Sequence, residues 1–143
     1  MKYSYTLAAV FWLFLFSLNG LAQSPNEILG WWMSEDGKGI IEIYKSNESS
    51  KYFGKIVWLK EPLGPDSKPI RDVNGNTVMN MINLKDFIYS NEKWQDGTVY
   101  DPESGKTYYS TLSLLNSDKL KLRGSIDPMG WIGKTTYWNR VKK

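Results

Sequence analysis

Beyond an apolar N-terminal run, the chain consists of short segments rich in β-branched and aromatic residues, punctuated by clusters of Gly, Asp, Asn, Ser and Pro. "ILGWWM" leads through the turn "SEDGKG" into "IIEIYK", and "NESS" separates that strand from "KYFGKIVWLK". The last of these carries apolar residues on both faces, as a strand covered on both sides does. "WQDGTVYD", "KTYYSTLSLL", "KLKLRGSI" and "GKTTYWNRV" continue the pattern. "KLKLRG" alternates cleanly, which directs Leu120 and Leu122 to the core and Lys119, Lys121 and Arg123 outward. "EPLGPDSKPIRDVNGNT" is the longest irregular stretch. In "VMNMINLKDFIY", Val78, Met81, Ile82 and Lys85 fall at one spacing while Asn80 and Asn83 weaken a helix, so a short helix or an irregular strand is expected there. Seven or eight strands joined mostly by hairpins predict an all-β antiparallel meander, most stable when closed into a barrel without open edges.

One hairpin can be read to its register. Asp101 and Pro102 suit the first two positions of a type I turn, and Gly105 suits a left-handed bulge just after it. Asp101 then opposes Lys106, Val99 opposes Tyr108, and Gly97 opposes Ser110. That pairing puts Gly97, Val99, Tyr108, Ser110, Leu112 and Leu114 on the core face, with Gly97 leaving room for a bulky neighbour such as Tyr108 or Trp94. Asp96 and Asp101, five positions apart, face opposite ways in a regular strand and do not form an acid/base pair.

The ends add two expectations. Lys2, the apolar run from Leu7 to Leu18, and small residues Gly20 and Ala22 before Gln23 read as a signal peptide over residues 1–22. Its removal leaves 121 of 143 residues, one β-barrel domain over 23–143, and takes the net charge from +3 to +2. The protein is thus expected to be exported, periplasmic or secreted, and not membrane-spanning once cleaved. Gly30 and Trp32 form a G-x-W at the start of the first strand, and Arg140 lies in the last. An Arg across a Trp ring closes one end of small up-and-down barrels, because a guanidinium stacks on an indole and still bonds nearby carbonyls.

Composition narrows the chemistry. With no His and no Cys, the chain cannot assemble a Ser-His-Asp triad, a thiol nucleophile or the usual His/Cys zinc site. Basic residues are scattered, so nucleic acid is not an expected partner, and no metal or other cofactor is expected. "DVNGNTV" has Asp72, Asn74 and Asn76 at alternate positions, but Thr77 stands where a calcium loop needs Gly, so an Asn-Gly turn is the better reading.

A spaced set of residues resembles the bacterial domain-of-unknown-function family 2147. It comprises Gly54-Lys55-Ile56, Trp94 with Gly97, Tyr100-Asp101-Pro102, Gly105 with Tyr108, Leu120 with Arg123-Gly124, and Trp138 with Arg140. The chain departs from that family at Ser110, where members often carry Cys, and in "DVNGNTV", where they often carry Asn-Pro. The resemblance implies export and a lipocalin-like barrel, and no reaction. The leading expectation is a non-catalytic module whose barrel mouth binds a small apolar or amphipathic molecule, with Trp58, Tyr100, Tyr108, Arg123 and Trp131 as candidate contacts. Alternatives are an envelope protein-interaction or structural module with a filled barrel, and a hydrolase based on two carboxylates. "SIDPMGWIGK" is expected to form a mobile rim around Trp131.

Overall fold

A computed structural model describes residues 22–142, so all but the last residue of the expected signal peptide lies outside the described residues. Eight antiparallel strands follow one another: β1 Gly30–Met33, β2 Gly39–Lys45, β3 Tyr52–Leu59, β4 Ile82–Ser90, β5 Lys93–Asp101, β6 Lys106–Asn116, β7 Lys119–Ser125 and β8 Gly133–Val141. Each pairs with the next, and β8 pairs back onto β1 to close the barrel. Closure gives every strand two neighbours and leaves no exposed edge. Among the described residues no helix is long and apolar enough to cross a membrane.

The hairpin register is the one expected, with Asp101 opposite Lys106, Val99 opposite Tyr108 and Gly97 opposite Ser110. Gly105 takes φ +71° and its N–H donates to Asp101 O at 2.8 Å, closing the turn. The ambiguous "VMNMINLKDFIY" is a turn followed by an irregular strand. Asn80 and Asp86 take positive φ there, and the β3–β4 pairing shifts register twice. Gly97 makes room for Phe87 of β4, not for Tyr108 or Trp94: a Cβ at this position would overlap the Phe87 ring. A bulge at Asp96, with φ +59°, breaks the strand between Trp94 and Gly97. Regular-strand parity therefore does not apply between Asp96 and Asp101.

The two ends of the barrel differ. At one end, Trp32, Tyr52, Phe87, Trp94, Leu112 and Leu120 are fully buried. Residues preceding β1 cross beneath this packed half as a plug. Tyr89 donates to Gln23 O at 2.6 Å, Trp94 Nε1 to Pro25 O at 3.2 Å, and Trp32 Nε1 to Ile28 O at 2.8 Å. The Arg140 guanidinium lies 4.2 Å from the Trp32 ring centroid. It donates from Nε to Ser117 O at 2.6 Å, from Nη1 to Leu29 O at 2.9 Å and from Nη2 to Glu27 O. Gly30, at φ +122°, is needed beside it, because a Cβ there would stand 3.1 Å from Arg140 Nη1.

Ser110 is the anomaly of the packed interior. It is buried opposite Gly97 and Gly124, and its hydroxyl makes no hydrogen bond. A buried hydroxyl without a partner costs about 1–3 kcal/mol.

Two stability measurements check this account. Arg140→Ala should lower the free energy of denaturant unfolding by about 2–4 kcal/mol, from three carbonyls losing a charged donor and one ring losing a cation. Arg140→Lys should recover less than half, since an ammonium cannot span the same partners. Ser110→Ala should raise stability by about 1 kcal/mol; a loss of similar size would show that the hydroxyl has a partner.

Candidate functional site

The β1–β2, β3–β4, β5–β6 and β7–β8 connections all lie at the end opposite the plug, as the strand directions require. There the interior opens into a cavity of about 620 Å³. Its walls are Ile41, Ile56, Leu59, Val78, Val99, Leu122 and Trp138, contributed by five strands and the long loop. Its rim is charged, with Glu35, Asp36 and Lys38 from one turn, Glu61 and Arg71 from the long loop, and Asp101, Glu103 and Lys134 from the far side. The interior is therefore solid at one end and hollow at the other, apolar within and ionic at the lip.

Asn83 carries the one buried polar group in this wall that lacks a partner. Its residue is 7 % exposed, it borders the cavity, and its Oδ1 accepts no hydrogen bond. It also borders a second cleft of about 540 Å³ behind the long loop, together with Tyr100 and Asp72. The sequence flags Asn83 only as a poor helix residue; its side chain reaches the cavity because β4 is irregular where it pairs with β3.

The long loop is held over the barrel by one carboxylate. Asp72 Oδ1 accepts from the backbone N–H of Asn74 at 3.0 Å and of Asn76 at 2.7 Å. Its Oδ2 accepts from the Tyr100 hydroxyl at 2.7 Å and from Asn76 Nδ2 at 3.2 Å. Asn74 Nδ2 donates to the same Tyr100 hydroxyl at 3.2 Å. The Tyr100 bond, followed by those from Asn76 and Asn74, holds the Asp72 carboxyl below its ordinary value of 3.8, against the opposing effect of burial. Tyr100 is raised by the same bond. "DVNGNTV" is thus an Asn-Gly turn latched to β5, with Gly75 at φ +84°.

Two of the rim acids, Asp36 and Asp101, are engaged with their own turns. Asp101 accepts from Glu103 N at 3.0 Å and Ser104 Oγ at 2.6 Å, and Glu103 pairs with Lys38 at 3.1 Å. Asp36 accepts from Ser34 Oγ at 2.6 Å, and its carboxyl is lowered despite burial, its largest influence, acting the other way. Among the described residues, no three acidic groups gather where they could hold a metal ion.

Of the candidate contacts, Tyr100 borders the cavity and the others do not. Trp58 is 40 % exposed, because Val57 is an extra residue in β3 opposite Ile40 and Ile41, which turns Trp58 outward and leaves Leu59 in the wall. Tyr108 lies half-buried opposite Val99. Arg123 points away from the interior, donating to Gly130 O from Nε at 3.1 Å and Nη2 at 2.9 Å, and to Trp131 O at 3.3 Å. Trp131 stands on the β7–β8 loop, 81 % exposed. That loop is a rim, but a tied one. Asp127 accepts from Trp131 N at 3.0 Å and Ile132 N at 2.7 Å, and Ile126 N donates to Ile132 O at 2.9 Å.

Comparison with known proteins agrees with this architecture. A family model described as an uncharacterized protein conserved in bacteria, DUF2147, matches residues 30–140. Among solved structures, the chain is similar to "Protein HP1028 from the human pathogen Helicobacter pylori", described as belonging to the lipocalin family. The TM-score is 0.63 at 21 % identity, covering 80 % of this chain and 83 % of that one. No match was found among curated proteins.

The latch makes a pH prediction with a definite sign. A carboxyl whose folded value lies below its unfolded one adds stability above the unfolded value and loses it as pH falls through the folded one. Denaturant midpoints should therefore drop as pH is lowered past the ordinary carboxyl value of 3.8. Asp72→Asn should lower the midpoint at neutral pH and flatten that acid limb; an unchanged limb would mean that another group sets it.

Proposed function

Because the chain belongs to the DUF2147 family and folds as a lipocalin-like barrel, we propose that it is a non-catalytic binding module for a small apolar or amphipathic molecule. The observation that carries this reading is the half-hollow interior, a cavity of about 620 Å³ with apolar walls and the side chains of Asn83 and Tyr100 on its border. Small-molecule sites of roughly 300–1,000 Å³ combine an apolar lining with a few placed polar groups in this way. The apolar part of the ligand would rest on Ile41, Ile56, Leu122 and Trp138, its polar group would meet Asn83 or Tyr100, and a charged end would reach the rim.

The proposed setting is outside the cytoplasm, periplasmic or secreted, supported by the charged start, short apolar run and small residues of the N-terminus.

Titration of purified protein with fatty acids, lysophospholipids and isoprenoid alcohols should produce a saturable change in tryptophan fluorescence, reported by Trp138 in the wall. Asn83→Leu should raise stability while weakening a polar ligand by about tenfold or more. The absence of a saturable response across the panel would overturn the proposal.

A further inference from the structure

The two ion pairs among the described residues join different kinds of neighbour. Lys51 with Asp86 ties the start of β3 to the adjacent β4. Lys38 with Glu103, at 3.1 Å, ties the β1–β2 turn to the β5–β6 turn. In a closed ring of eight strands those turns stand on opposite sides of the mouth, with β3 and β4 between them one way round and β7 and β8 the other. The pair therefore crosses the opening of the cavity, which both residues border.

The backbone at each end of this strap is fixed. Lys38 N donates to Asp36 Oδ1 at 3.0 Å, and Lys38 O accepts from Lys60 N at 2.9 Å. Glu103 N donates to Asp101 Oδ1 at 3.0 Å, in the turn that Gly105 closes. Only the two side chains make the bridge, and they are 62 % and 77 % exposed. Exposed side chains change rotamer in picoseconds to nanoseconds, so the strap can part without any movement of the backbone. The ammonium is drawn back by its surroundings. The Glu103 bond and charge, then the charges of Asp36 and Glu61, hold it above the ordinary lysine value of 10.5.

The flanks of the strap are unequal. On the β3–β4 side, Asp72 latches the long loop to Tyr100, and a Cβ at Gly105 would collide with Val73 of that loop. On the other side, Lys134 and Thr136 of β8 border the cavity, and no residue between Ser125 and Gly133 does. The way in lies there, between the strap and β8.

We propose that Lys38 and Glu103 form a gate across the barrel mouth, governing how fast, and how bulky, a molecule enters the cavity on the β8 side. The inference rests on the cavity being the binding site, but a gate acts on access, which can be measured without the natural ligand. An exposed ion pair shifts an open–closed balance by at most about fivefold, so this one slows passage and does not seal the interior.

The chain has no cysteine, so Val99→Cys places a single thiol in the cavity wall. Its rate of modification by pyrene maleimide, a bulky neutral reagent, reports access. In that background Glu103→Gln and Lys38→Gln should each speed labelling by about two- to fivefold. The double variant should be no faster than the faster single one, because the same interaction is lost in all three. Raising salt from about 0.1 M to about 1 M should speed labelling of the parent and leave the variants unchanged. Labelling of a thiol introduced by Leu115→Cys, at an exposed position, and the unfolding temperature should not respond to either substitution, which separates gating from a loosened fold. Additive effects of the two substitutions, or labelling at the Val99 position that ignores both or does not occur, would overturn the gate. Strap-dependent labelling without a saturable fluorescence response to the lipid panel would uphold the gate and overturn the binding reading. A saturable response with strap-independent labelling would do the reverse.

Discussion

The guanidinium of Arg140 over the Trp32 ring is the contact on which the remaining architecture depends. In one group it joins the last strand to the first, holds the plug through Glu27 and Leu29, and reaches the β6–β7 turn through Ser117. A lysine could neutralise charge there, but it could not hold a ring and three carbonyls in fixed directions. With that end sealed by packing and charge, the opposite end needs no comparable closure. Its interior can stay hollow and its loops can specialise.

Hollowness is maintained by means other than core packing. The long β3–β4 loop supplies Val78 and Arg71 to the cavity, and the Asp72–Tyr100 bond determines where that loop rests. Tyr100 thus serves both as latch and as wall. Two interior polar groups, Asn83 Oδ1 and Ser110 Oγ, have no partner, but their positions differ. Asn83 borders both the cavity and the cleft behind the long loop. Ser110 lies in the packed interior between two glycine-bearing strands, a place suited to a small group of low polarity.

What could be read in the sequence was whatever local chemistry determines alone. Asp101, Pro102 and Gly105 define a turn, and the turn fixes the β5–β6 register without reference to the remainder of the barrel. The Leu120 and Leu122 alternation is equally local. Trp58 was expected at the mouth only as one of the chain's aromatics; its facing is set by an extra residue in β3, where Ile40 and Ile41 oppose Trp58 and Ile56. The neighbour of Gly97 was misjudged for a different reason: Phe87 comes from β4, beside two residues of positive φ, Asp86 and Asp96, that no run of residues announces. Arg123 was expected among the ligand contacts, and its donors go to the carbonyls of Gly130 and Trp131. Bulges and side-chain–backbone bonds between distant segments are tertiary facts, and the cavity is largely made of them.

The β1–β8 pairing also imposes an order of events on folding. Leu29 and Arg140, bonded in the finished barrel, are separated by 111 positions, so the contact that seals the plug is among the most non-local the chain can make. A growing chain has turns and hairpins to form early, but its first strand waits for its last. Until the C-terminal strand arrives, β1 and β7 present unpaired edges, the form of intermediate most exposed to wrong pairing. Completion is thus decided by β8, the strand farthest along the chain from the one it must meet.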